Sequence, residues 1–139
     1  MKSPRFWLAV LVAGIVCNAF DAYVQGTLLT KAFFSNIASI NPEPKVAWLV
    51  TGDFVAMLVL AWVMNRLGAV FGSGAKGGAQ AGLVLGVLVN FPRWHLVGLL
   101  FKGVPYALVW IETGYCIAVY TIAGAIIGAI LRKPAAAAG

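Results

Sequence analysis

The chain has 139 residues, of which 62% are hydrophobic and 10% charged, with a mean hydropathy of +0.93 and a formal net charge of +6. That balance leaves too little polar surface for a soluble domain and reads as one integral membrane domain, residues 1–139, whose first partner is the lipid bilayer. The Lys and Arg residues stand at segment ends rather than in a basic stripe with interleaved aromatics, which argues against a nucleic-acid interface.

An apolar run needs about 20 residues to cross a bilayer core of roughly 30 Å, and in lipid such a run must be helical to satisfy its own backbone. The first run, about 6–26, follows Lys2 and Arg5. A signal peptide would begin the same way, but no small-x-small cleavage site follows, and Ile15 and Val16 before Cys17 spoil a lipoprotein signal. The connection from 27 to 45 carries Phe33, Phe34, Ile37 and Ile40, then Asn41-Pro42-Glu43-Pro44. Two readings stand for it: a short interfacial helix within 27–40, or an apolar extension of the first span. The second span is expected at about 46–67, the third at about 79–101 and the fourth at about 106–131. Between the second and third, Phe71-Gly72-Ser73-Gly74-Ala75-Lys76-Gly77-Gly78 departs from a phosphate loop, because Ala75 separates glycine from lysine and no Ser or Thr follows the lysine. It reads as a flexible turn.

Positive charge sets the orientation. Lys2, Arg5, Arg66, Lys76, Arg132 and Lys133 share one side, against Lys31, Lys45 and Lys102 on the other, which places both termini in the cytoplasm. Trp48, Trp94, Trp110 and Tyr106 lie toward the outer side as belt anchors.

An internal repeat organises the four spans. Trp48-Leu49-Val50-Thr51-Gly52-Asp53 matches Trp110-Ile111-Glu112-Thr113-Gly114-Tyr115, and Gly14, Asn18 and Gly26 match Gly86, Asn90 and Gly98 at a second constant offset. The expected fold is an all-α bundle of two parallel-duplicated helical hairpins related by an axis along the membrane normal.

Ionisable residues inside these spans cost about 2.5–3.5 kcal/mol each on insertion scales, so they mark partners or pathways. Helical spacing puts Gly14, Asn18, Asp21 and Gln25 on one stripe of the first span and Gly82, Gly86, Asn90 and Arg93 on the equivalent stripe of the third. Asp21 then corresponds to Arg93, which suits an ion pair; the alternative has Asp21 ending its helix and Arg93 reaching the headgroups. At about 1.5 Å per residue, Asp21, Asp53, Asn90, Arg93, His95 and Glu112 fall in one polar layer in the outer third of the bilayer. Pro92 is expected to kink the third span beside it. Below the layer, Gly78, Gly82 and Gly86 repeat at four-residue spacing, as do Gly124 and Gly128, with Ala9 and Ala13 as a similar small face, so close helix packing is expected there.

Catalytic signals are absent. One histidine excludes a two-histidine metal or haem site, no serine sits in a nucleophile motif, and Cys17 and Cys116 show no metal-ligand spacing and read as small buried hydrophobes. His95 keeps one other option, a single axial ligand to a tetrapyrrole, but membership of the polar layer is the preferred reading. No metal or other cofactor is expected.

The segments Asp21, Gly26, Leu28 and Leu29, then Gly82, Gly86, Asn90 and Pro92, then Gly124, Gly128 and Lys133 resemble the uncharacterised small four-helix integral membrane proteins of bacteria. Tyr23 and Gln25 depart from that pattern where a histidine before the glycine is expected. The resemblance implies a protein of the bacterial inner membrane and carries no activity or site. Two functions fit: a non-enzymatic accessory subunit packed against a larger membrane complex or a second copy of itself, or a small ion- or proton-coupled transporter or channel component using the polar layer.

Overall fold

The computed structural model describes residues 3–38, 43 and 45–131, so Lys2, Ile40, Asn41, Pro42, Pro44, Arg132 and Lys133 lie outside the described residues. The described chain is all-helical. Four helices are long and apolar enough to cross a membrane: α1, Pro4–Ala32; α2, Val46–Phe71, apolar as far as Gly68; α3, Gly74–Leu100; and α4, Tyr106–Leu131.

Helix α1 starts where Pro4 offers a preset φ and no N–H to satisfy, with Phe6 N–H bonding to the Ser3 carbonyl at 3.0 Å. From Val24 to Leu29 it widens into a π turn, and the Thr30 hydroxyl donates to the Gln25 carbonyl at 2.7 Å. The helix tightens again at Thr30–Ala32 and stops at Phe33 (φ −134°, ψ −54°), before a 3-10 turn at Phe34–Asn36. Residues 27–32 therefore extend the first span rather than forming a separate interfacial helix. Leu29 and Ile37 bury against Leu108, with Val24, Phe33, Phe34 and Val104 around them, so the segment finds apolar partners within the chain.

The helical dihedrals of α2 give way at Leu67 (φ −106°, ψ 17°), close to the end expected for that span. Helix α3 begins several residues earlier than its hydropathy suggests. Gly72 (φ +82°) and Gly74 (φ +75°) adopt left-handed conformations that turn the chain, and Gly77 packs so closely on that turn that a Cβ would strike the carbonyls of Phe71 and Gly72. Pro92 is carried inside α3, which remains helical to Leu100. Gly103 (φ +87°) makes the last turn, and Leu108 N–H to the Pro105 carbonyl opens α4.

Helices α3 and α4 share the most extensive interface in the bundle. In lipid, apolar side chains gain nothing by leaving one apolar environment for another, so association depends on close van der Waals contact. Glycine supplies it here. A Cβ on Gly78 would collide with the Gly124 carbonyl, one on Gly82 with the Tyr120 carbonyl, and one on Gly128 with the Gly74 carbonyl, while Gly86 faces Ile117 and Tyr120. The rest of the core fills the same end of the bundle: Phe6, Ala9, Val10, Ala13 and Cys17 from α1, Met57, Leu60 and Ala61 from α2, and Val119, Ala123 and Ile127 from α4. Because Phe6 and Ile127 belong to one cluster, both described ends of the chain lie there, and we call it the terminal end.

The opposite, far end is looser. Every residue of α2 from Val46 to Gly52 is exposed, and its first buried residue is Met57. At Gly14 the Phe54 ring stands where a Cβ would be, so an aromatic separates α1 from α2; at the matched Gly86 the backbone of α4 comes close instead. Local bonds at matched positions are the same. Asn18 and Asn90 donate to the Gly14 and Gly86 carbonyls at 2.9 and 3.0 Å, and Thr51 and Thr113 to those of Ala47 and Val109 at 2.7 Å.

Candidate functional site

The space left by the standing-off of α2 is a cavity of about 1090 Å³ walled by all four helices, with Phe34, Ser35, Ile37 and Ala38 at its far end. Its polar lining includes Asp21, Asp53, Asn90, Arg93 and Tyr115. On α1, Cys17 and Asp21 are four residues apart and share one face. Asp53 reaches the same place from α2, so that the Cys17 sulfur and one oxygen of each carboxylate all lie within 4.8 Å of one another. From α4, the Tyr115 hydroxyl donates to Asp21 Oδ1 at 2.5 Å, and Gln25 Nε2 reaches the same oxygen at 3.5 Å. The π turn begins directly after Tyr23, two residues beyond Asp21. Such bulges re-aim side chains next to functional positions.

Arg93 lines the cavity, but among the described residues it makes no ion pair with Asp21. Its guanidinium carbon lies 5.5 Å from the centre of the Trp94 ring, and Asp21 is instead held by a hydroxyl and an amide. The ion pair suggested by the matched stripes is thus replaced by a phenol–carboxylate bond across the same space. Asn90 is 1% exposed and bonded to its own helix.

Glu112 is the most deeply buried of these groups, 0% exposed, and among the described residues neither carboxylate oxygen has a hydrogen-bond partner. It shares a face of α4 with Tyr115 and Val119, which line the cavity, and lies one turn from the Leu29, Ile37 and Leu108 cluster. Asp21 and Arg93 are close enough for their charges to act on it.

His95 lies outside the cavity lining. Its Nδ1 donates to the Phe91 carbonyl at 2.7 Å, its ring stacks on Phe91 at 4.2 Å, and Trp110 meets it edge-on at 4.8 Å, with Tyr106 beyond at 6.4 Å. Its Nε2 is buried inside this aromatic group and, among the described residues, has no hydrogen-bond partner. His95→Phe is expected to keep the aromatic packing and leave thermal stability within about 0.5 kcal/mol, since it swaps one weak local bond for the loss of one unpartnered nitrogen. A drop above about 1.5 kcal/mol in a thermal unfolding scan would show that the imidazole has a role this geometry does not provide.

Sequence reasoning passed over two residues. Cys17 read as a hydrophobe, although its four-residue spacing from Asp21 was a signal of a shared face. Tyr115 occupies the position matched to Asp53, and both converge on Asp21. The glycines at 78, 82, 86, 124 and 128 form the close contact between α3 and α4, and the Gly86 carbonyl also accepts from Asn90. No protein-family model, curated protein or solved structure matches the chain.

Proposed function

We propose that the chain is a non-enzymatic, multi-pass protein of the bacterial inner membrane that binds a cation in the cavity between α1, α2 and α4 and acts as an ion-binding accessory subunit of a larger membrane assembly or homo-oligomer. The observation that carries this reading is the charge arrangement: Asp21 and Asp53 meet in one cavity, with Glu112 buried near it and, among the described residues, Arg93 as the one guanidinium on its wall. Unbalanced carboxylates at such depth call for a cation. The accessory part of the proposal rests on the other half of the bundle. There the glycine contacts and the core from Phe6 to Ile127 fill the interior, so one chain offers a binding chamber open toward the far end and no continuation beyond it. Transport then requires a second copy or a partner. Arg5, Arg66 and Lys76 at the terminal end favour that end as cytoplasmic, which puts the cavity in the outer half of the membrane. The matched Asn and Thr bonds support duplication of an ancestral hairpin.

The test is equilibrium binding of Na⁺, K⁺, Mg²⁺, Ca²⁺, Mn²⁺ and Zn²⁺ to the full chain in lipid nanodiscs, alongside its size after gentle solubilisation. The expected result is binding of at least one of these ions, weakened about tenfold or more by Asp21→Asn with Asp53→Asn, and migration with a partner or second copy. Binding that ignores both substitutions contradicts the ion site. Migration only as a small free particle contradicts the subunit role.

A further inference from the structure

Resting on that reading, we infer that the cation is a divalent transition metal of the zinc class, held by Cys17 Sγ and one carboxylate oxygen each from Asp21 and Asp53. The three ligand atoms come from two helices and lie within 4.8 Å of one another. Around a tetrahedral ion with a metal–sulfur bond of about 2.3 Å and metal–oxygen bonds of about 2.0–2.2 Å, the ligands stand roughly 3.3–3.6 Å apart. Side-chain rotation of about 1 Å into the open cavity closes that gap. A fourth position stays free for water or a transported ligand.

The ligand types select the metal. Sodium, magnesium and calcium take oxygen ligands and many of them, whereas a thiolate beside two carboxylates favours a softer divalent ion. Binding breaks the Cys17 S–H bond; the electron pair stays on sulfur and forms the bond to the metal, and the proton leaves to water in the cavity. Charge closes on the same wall: three negative ligands, a doubly positive ion and the Arg93 guanidinium sum to zero. Tyr115, donating to Asp21 Oδ1, is the positioning residue, since it turns the other oxygen of that carboxylate toward the ion.

A second, independent observation points to a missing charged group at this place. Glu112, fully buried and, among the described residues, unpartnered at both oxygens, shares a face of α4 with Tyr115 but stands outside the cavity lining.

The experiment uses Cd²⁺ as the probe, because a cadmium–thiolate bond gives an ultraviolet charge-transfer band. Added to the full chain in nanodiscs, Cd²⁺ is expected to raise that band, Zn²⁺ to displace it, and excess Mg²⁺ or Ca²⁺ to leave it. Cys17→Ser should abolish the band and Cys116→Ser should keep it. Asp21→Asn and Asp53→Asn should each weaken binding beyond the roughly 10–100-fold typical of outer-shell changes, and Tyr115→Phe by about tenfold. Should Cys17→Ser fail to fold, alkylation of Cys17 in the Cys116→Ser chain reads the same contact: protection by Zn²⁺ supports the site, and unchanged alkylation overturns it. A band that survives Cys17→Ser overturns it as well. If Asp21 and Asp53 bind an alkali or alkaline-earth ion while Cd²⁺ raises no band, the metal assignment falls and the ion-binding reading stands; if no cation binds, both fall.

Discussion

Gly78→Leu or Gly124→Leu is expected to leave little folded protein, whereas Gly52→Ala or Gly114→Ala should keep stability within about 0.5 kcal/mol. All four positions are helical glycines in apolar segments, and they differ in what a side chain would meet. At Gly78 the nearest atoms are the carbonyl of Gly124 and the Cα of Gly128; at Gly124 they are the carbonyl of Gly78 and the backbone of Gly82. These are backbone atoms of a facing helix and cannot rotate aside. Overpacking against adaptable side chains costs about 1–3 kcal/mol. Here the helices must separate instead, and the contacts at Gly82, Gly86 and Gly128 go with them, so the expected loss exceeds that range. A Cβ at Gly52 or Gly114 would meet nothing within 4 Å among the described residues beyond its own helix backbone and chain neighbours. Thermal unfolding of purified variants in one detergent decides the matter. A Gly78→Leu protein melting within a few degrees of the parent would mean that α3 and α4 do not meet through their glycine faces.

Glu112→Leu is expected to stabilise the protein by roughly 1–3 kcal/mol while weakening cation binding. The argument is one of asymmetry. Glu112 is fully buried and among the described residues neither oxygen has a hydrogen-bond partner, so its desolvation is carried with no bond from them in return. Leucine has a similar volume and suits the neighbouring cluster of Leu29, Ile37 and Leu108. A residue that harms stability where it stands is retained for something else, and the nearby charges of Asp21 and Arg93 indicate what. The measurement is again thermal unfolding, paired with binding. A loss above about 1 kcal/mol would show that the carboxyl serves the fold.

The four spans were legible because each is a long apolar run, and the fourth begins where its hydropathy does. One boundary escaped, and another was left between two readings, both for tertiary reasons. Helix α3 starts early because its glycines are pinned by α4, and α1 continues past Gly26 because Leu29 and Ile37 find Leu108, contacts between residues distant in sequence. Of the polar groups, Asp21, Asp53, Asn90 and Arg93 do line one cavity, with Glu112 buried beside it. Spacing and depth alone located them. Depth does not report direction around a helix to better than a turn, which is why His95, at the same level, faces an aromatic group instead. The ion pair between Asp21 and Arg93 failed for a similar reason. The matched stripes put both residues on the cavity, but a phenol from the matched fourth helix reaches the carboxylate first. Cys17 shows the opposite case, a residue whose type suggested packing and whose neighbours across two helices suggest chemistry.

The most direct test of the ion site is carboxyl labelling in native membranes. A carbodiimide with a tagged amine, followed by peptide mapping, reads how fast Asp21 and Asp53 react with and without added cation. The account predicts that one of the cations tested slows labelling of both residues together while leaving the exposed Glu43 unaffected. Equal labelling of Asp21 and Asp53 in the presence and absence of every cation would contradict it.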